Sequence, residues 1–181
     1  MAIIASKPKS QFNPAPEGLH SAICCDVVDL GMLPSPWGDR HQIEIRWQLD
    51  LIDQKSKGKW PFMVTRKFGL SLGPKSHLRP ILESWRGRKF TKEELESFDL
   101  EKLIGVNCQV QVIHNIVDGG ETYANVQAVV PPAKNAPKMR ISESYVRVVE
   151  REKRAKLEAD PFGTDPFGDV NPPDDTEVIP F

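Results

Sequence analysis

The chain has 181 residues, of which 39% are hydrophobic and 27% charged, with a formal net charge of -1. This length and composition favour one domain with a core and a tail over two full domains. No run approaches the roughly 18 apolar residues of a membrane span, and the N-terminal residues lack the pattern of a secretion signal. Three cysteines without metal-ligand spacing add to the expectation of a cytoplasmic protein with reduced thiols: Cys24, Cys25 and Cys108.

The first predicted elements along the chain are three strands. Residues 17–30 are rich in apolar and β-branched side chains and are predicted to form the first strand. After a loop at 31–40, residues 42–51 alternate apolar and polar side chains, which is the clearest strand pattern in the chain. A basic hairpin loop at 53–59 then leads to a third predicted strand at 60–72.

The hydrophobic period next changes to that of a helix. The apolar residues that recur at i, i+3, i+4 and i+7 are Leu78, Ile81, Leu82 and Trp85. Pro80 is tolerated only near a helix start, so we expect the helix to begin around residues 74–76 and to stop at Gly87. A second short helix is predicted from Thr91, because Glu94 three residues later completes a capping box.

Two more strands are predicted at 106–112 and 123–130, joined by a tight turn at 118–120. The fold class is therefore mainly β, with five strands and a helical insert between strands 3 and 4. This is the layout of the OB-fold, a partly open Greek-key barrel. We assign residues 17–131 to this domain.

The remaining segments are predicted to lie outside the barrel. Residues 1–16 contain three prolines and are interpreted as an N-terminal arm. Residues 132–157 are interpreted as a charged linker that includes a short strand and then an exposed helix. Residues 158–181 are predicted to be a disordered acidic tail, in which Asp-Pro-Phe-Gly occurs twice. That repeat is either a weaker docking element or a low-complexity spacer.

The charges divide unevenly between body and tail. From Glu158 onward there are seven acidic residues and no Lys or Arg. The first 157 residues therefore hold 24 basic and 18 acidic residues (25 less 7), a net charge of +6. A basic body with an acidic tail is typical of a polyanion binder with a separate interaction peptide, and equally of a tail that screens its own body.

The chain ends in acidic residues followed by an apolar tip and the free carboxylate: Asp174, Asp175, Glu177, Ile179, Pro180 and Phe181. This ending resembles the C-terminal tip of bacterial single-stranded DNA-binding proteins, where the tip docks replication and repair proteins. The resemblance implies that a partner with an apolar pocket flanked by Arg or Lys captures Phe181 and the carboxylate together. A frayed terminus that happens to end in Phe is the alternative.

A second, more diffuse resemblance covers residues 17–131. The stretches at 75–79 and 85–91 look like those of phage-type OB-fold single-stranded DNA-binding proteins. Together the two likenesses imply a protein that coats single-stranded DNA during replication, recombination or repair, in the host cytoplasm if a phage encodes it. The acidic tail would lie over the basic groove when DNA is absent.

A sequence-tolerant binder needs cations for phosphates and aromatic rings for bases. The candidates for this role are Trp37, Arg40, Arg46, Lys57, Lys59, Trp60, Arg66, Lys67, Phe68, Arg86, Arg88 and Tyr123. Each has a competing role. Trp60 and Phe68 are balanced between ligand and core, and Arg86 and Arg88 could simply complement a helix dipole. Trp47 and Trp85 are assigned to the core.

No catalytic signature is present, so we expect no enzyme, no cofactor and no metal. The alternative function is an OB-fold protein-interaction adaptor that binds no nucleic acid, since fold does not determine function. A metal-dependent nuclease using Asp26 and Asp29, or Asp50 and Asp53, is a weaker third reading. The sequence leaves open whether the chain is a monomer or a homo-oligomer.

Overall fold

The structure, a computed structural model, describes residues 13–36, 38–118 and 120–159. Its five strands form one antiparallel sheet: β1 (Gly18–Leu33), β2 (Arg40–Ile52), β3 (Pro61–Gly69), β4 (Asn107–Ile116) and β5 (Thr122–Val130). Helices α1 (Leu78–Arg86) and α2 (Lys92–Glu96) and a 3-10 turn (Leu100–Leu103) separate β3 from β4, and α3 (Val148–Ala159) follows the sheet. The predicted mainly β class and the order of three strands, a helical insert and two strands are confirmed.

The strand order in the sheet is β3-β2-β1-β4-β5, so β1 is the central strand. Its N-terminal half pairs with β4, and register shifts near Cys25 and Leu30 interrupt its pairing with β2. Such bulges bend and twist a strand. The two edge strands approach each other, and Arg66 on β3 donates hydrogen bonds to the carbonyl oxygens of Val126 and Gln127 on β5, at 2.9 and 3.0 Å. This arrangement is compatible with an OB-like architecture.

The core lies on one face of the sheet, where apolar members of the alternating strands cluster with α1. Trp47 from β2 and Trp85 from α1 are both buried, with ring centroids 6.0 Å apart. Their assignment to the core is therefore confirmed. Cys24 and Cys108 also belong to this core. Burial raises the pKa of both thiols, which keeps them protonated and unreactive.

The helical insert follows the signals in the sequence. Helix α1 begins at Leu78, a few residues after the predicted start, and ends at Arg86. Gly87 follows as the predicted C-cap and adopts the left-handed conformation with φ 68°. The predicted capping box is confirmed, because the Thr91 hydroxyl accepts from the Glu94 N–H and the Glu94 carboxylate accepts from the Thr91 N–H.

The chain does not leave the sheet at residue 131. Residues 139–147 run across the outer face of β1 and β2 without forming a strand, and the compact unit ends at Arg147. Asp26, which is 1% exposed, accepts hydrogen bonds there from the Tyr145 hydroxyl at 2.9 Å and from Arg147 Nε at 3.2 Å. The Ser142 N–H donates to the buried Gln48 side chain at 2.9 Å.

Helix α3 belongs to a second unit, which starts at Val148. It fulfils the prediction of a helix near the end of the charged linker. The predicted arm, 1–16, lies outside the described residues only as far as residue 12; its remaining residues pack on the domain, because Ala15 is buried in the core and its carbonyl lies 2.7 Å from His114 Nε2. The predicted tail, 158–181, lies outside the described residues from residue 160 onward.

Candidate nucleic-acid interface

Two hairpin loops leave the sheet at the same end. Ala22 on β1 pairs with Leu49 on β2 and with Cys108 on β4. Both partner strands run antiparallel to β1, so from these residues each continues toward the N-terminal end of β1. The β2–β3 loop and the β4–β5 loop therefore begin on the same side of the sheet. Trp60 lies at the end of the first loop, and Tyr123 lies in β5 directly after the second.

The β2–β3 loop is a basic turn held by its own hydrogen bonds. The Asp53 N–H donates to the Trp60 carbonyl at 2.8 Å, and the Ser56 hydroxyl accepts from the Trp60 N–H at 2.9 Å. The three lysines of this turn are exposed and make no ion pair within the described part of the chain: Lys55, Lys57 and Lys59. The loop therefore presents concentrated positive charge on a defined backbone.

Trp60 is exposed to solvent, but its indole ring lies against the backbone of the same loop. Half of the residue's surface, 50%, is accessible to solvent. Its indole lies directly against Gly58, where an added Cβ would overlap the ring. A side chain at position 58 would therefore displace the indole from this position. An exposed ring held by the backbone is suited to base stacking, which needs an accessible π-face.

Tyr123 is the second exposed aromatic residue, with 44% of its surface accessible to solvent. It lies at the start of β5, and its hydroxyl donates to Glu121 at 2.9 Å. This hydrogen bond raises the pKa of Tyr123, so the hydroxyl stays neutral and the ring direction is tied to the loop. Its polar register was read correctly from the sequence.

The outer face of β2 and β3 contributes less charge than expected. Lys67 is exposed and faces Glu44 across the strand pair. Arg46 is only partly exposed and forms an ion pair with Glu44 at 2.7 Å. Burial opposes the charge on Arg46, but the Glu44 carboxylate raises its pKa above the usual value. Lys67 is therefore the more available cation of the two.

Phe68 corrects an expectation from the sequence. It is 3% exposed and belongs to the core, so its ring does not present a face to a base. Arg66 lies over this ring at 5.1 Å while binding two carbonyl oxygens of β5. Both residues join β3 to the rest of the fold, and we leave them out of the proposed interface.

Arg86 and Arg88 are also engaged within the fold. Both guanidinium groups bind the Glu94 carboxylate, at 2.5 and 2.7 Å, and Arg86 also lies over the rings of Phe90 and Phe98. Hydrogen bonds from the two arginines hold the pKa of Glu94 well below its usual range. This cluster links α1 to α2 and favours the structural reading of both arginines.

A groove of about 610 Å³ lies at the opposite end of the sheet, where β2 begins and β3 ends. Its lining brings Arg40 and His41 together with Lys75 and His77 from the loop before α1. Trp37, predicted to stack on bases in the neighbouring loop, lies outside the described residues. Lys75 and His77 were not among the site residues predicted from the sequence, because their nearness to Arg40 depends on the tertiary fold.

The tip residues Asp174, Asp175, Glu177, Ile179, Pro180 and Phe181 also lie outside the described residues. Within the described ranges, no three His, Cys, Asp or Glu side chains are grouped to hold a metal ion. None of the helices there has the length and apolar character that crossing a bilayer requires.

Comparisons with known proteins give no assignment. No protein-family model matches the chain, and no curated protein matches it. Function therefore has to be inferred from the residues and the geometry described above.

Proposed function

We propose that this protein binds single-stranded DNA without strong sequence preference and acts in DNA replication or recombination. The observation that carries the proposal is the position of two exposed aromatic rings, Trp60 and Tyr123, at the end of the sheet where the β2–β3 hairpin presents lysines that form no ion pair within the described residues. Stacking rings beside a cationic surface are the features that sequence-tolerant binding of single strands uses.

The bases stack on Trp60 and Tyr123, while Lys57 and Lys59 neutralise the neighbouring phosphates. The strand then follows the outer face past Lys67 toward the groove at Arg40. OB-folds bind oligonucleotides on this face of strands 2 and 3. No chemical step is required of the protein.

The expected energetics follow from these contacts. Stacking is worth roughly 1–3 kcal/mol per base, so the two rings dominate the affinity. Each phosphate neutralised by a lysine releases counterions, which gives a log–log salt slope of about −0.7 per contact on single strands.

Fluorescence anisotropy titration of labelled oligo-dT tests the proposal, because its signal does not depend on the residue that is replaced. The variant Trp60→Ala should bind about 5- to 140-fold more weakly, which is the loss of one stacked base. Lys153→Ala, an exposed lysine on α3, is a matched control and should bind normally. Absence of oligo-dT binding by the full chain in low salt would remove the proposal.

A mobility-shift series with single-stranded DNA, duplex DNA and RNA then defines the ligand class. Preference for the single strand over the duplex is expected, because a duplex hides the base faces that Trp60 and Tyr123 need. Equal binding of duplex and single strand would instead indicate general attraction to phosphate.

We assign the recruitment of replication and recombination proteins to the C-terminal tip. Deleting residues 158–181 removes seven acidic residues and the apolar end. The deletion should preserve or tighten binding of a short oligonucleotide and abolish capture of partner proteins. Weaker binding of that oligonucleotide by the shortened chain would contradict the shielding role of the tail.

A further inference from the structure

An apolar pocket of about 590 Å³ lies at the end of the sheet where β4 begins and β5 ends. Its walls include Trp85, Phe98 and Leu103 from the helical insert, and three prolines of the segment that follows β5. This volume is within the range of sites that bind small ligands and peptide side chains, about 300–1,000 Å³.

The rim of the pocket is cationic. Lys102, Lys134 and Lys138 surround the apolar walls, and none of the three makes an ion pair within the described ranges. Arg86 also lines the pocket, but Glu94 already binds its guanidinium group. Three free lysines around an aromatic floor favour a ligand with an apolar end and several negative charges.

Hydrogen bonds connect the segment after β5 to β4 beside the pocket. The Asn107 side chain accepts from the Met139 N–H at 2.8 Å and donates to the Met139 carbonyl at 3.3 Å. Trp85 Nε1 donates to the Asn107 carbonyl at 3.3 Å. These bonds tie the segment after β5 back to β4, so the wall does not need to be ordered when a ligand binds.

The chain itself carries a ligand of the required chemistry. Its last residues combine Asp174, Asp175 and Glu177 with Ile179 and Phe181 and a free carboxylate. The Phe181 ring matches the aromatic floor, and the acidic groups match the lysine rim.

We propose that this pocket binds the C-terminal tip of a second copy of the chain. A pocket on one copy and a tip on the next form a heterologous contact, which joins copies head to tail. The contact does not depend on DNA, and it would arrange neighbouring copies in a row along a bound strand.

The pocket is separate from the proposed DNA interface. Val130 follows Tyr123 by seven residues on the same strand, which is about 23 Å at 3.3 Å per residue. DNA at the hairpin loops and a tip in the pocket can therefore be bound together.

Fluorescence anisotropy with a labelled peptide of residues 171–181, ending in the free carboxylate, tests the pocket. The receptor is the full-length chain carrying Phe181→Ala, which weakens competition from its own tip. Adding Lys134→Glu and Lys138→Glu should lower the peptide affinity at least about tenfold, since charge reversal replaces attraction by repulsion at the rim. Lys153→Glu with Lys156→Glu makes the same charge change on α3 and should leave the peptide affinity unchanged.

Sedimentation velocity tests the second copy as the occupant. The unaltered chain should show a sedimentation coefficient that rises with concentration in low salt, and Phe181→Ala should abolish the rise. Peptide binding that survives both charge reversals would refute the pocket, and so would no binding at all. A concentration-independent coefficient for the unaltered chain would refute the second copy. Failure to bind oligo-dT would bear on the DNA proposal alone.

Discussion

Replacing Gly58 by alanine should weaken DNA binding through Trp60 without unfolding the protein. A Cβ at position 58 would overlap the Trp60 indole, so the ring has to move away from its present position. The backbone at Gly58 is not in the left-handed region, so alanine itself introduces no φ strain there. The expected cost is that of one stacked base, about 1–3 kcal/mol or 5- to 140-fold in the dissociation constant.

A double-mutant cycle isolates this effect. Gly58→Ala, Trp60→Ala and the double variant are compared by anisotropy with labelled oligo-dT, and thermal unfolding checks that each variant is folded. Because Gly58→Ala is expected to act only by displacing the Trp60 indole, it should not weaken binding further in a chain that already carries Trp60→Ala. Additive losses, or wild-type affinity for Gly58→Ala beside a weakened Trp60→Ala, would refute the idea that Gly58 positions the indole.

Three further predictions concern stability. Arg66→Met should lower the free energy of unfolding in urea by about 1.5–3 kcal/mol, because two carbonyl oxygens on β5 lose a charged donor. The control Lys67→Met, at the exposed neighbouring residue, should change it by no more than about 0.5 kcal/mol. Equal denaturation midpoints for the two variants would contradict the bridging role of Arg66. Tyr145→Phe should cost about 1.5 kcal/mol, because the buried Asp26 carboxylate loses one of its donors; unchanged stability would show that the segment after β5 contributes little. Glu94→Gln should lower the melting temperature at pH 7, because Arg86 and Arg88 lose their shared carboxylate. The pKa of Glu94 is lowered on folding, so its contribution to stability is present above the ordinary pKa of 4.5 and is lost as the pH falls below that value. The melting temperatures of the unaltered chain and of Glu94→Gln should therefore converge in acid. A difference in melting temperature that does not change with pH would contradict this cause.

Local elements of this fold were readable from the chain because their signals are local. The alternation through β2, the i, i+3, i+4, i+7 stripe of α1 and the capping box at Thr91 each depend on residues within one element. Strand count and the position of the helical insert follow from these elements in order.

The roles of the aromatic and cationic side chains were harder to predict. Phe68 and Trp60 both lie on or beside β3, yet one is buried in the core and the other is exposed. Arg66, Arg86 and Arg88 read as DNA contacts, but each is engaged by a carbonyl or carboxylate distant in sequence or in a neighbouring helix. Whether such a side chain is available to DNA depends on its packing and hydrogen-bond partners in the fold, which the local sequence pattern does not reveal.

The amino-acid sequence alone determined the mainly β class, the helical insert and the division into a basic body and an acidic end. These depend on hydrophobic period, turn residues and charge counts, which any stretch of chain carries with it. Only the tertiary structure decided which cations are free, that Trp60 rests on Gly58, and that Lys102, Lys134 and Lys138 surround one apolar pocket. Those features arise where segments distant in sequence pack together, since burial and charge pairing are properties of the folded surface.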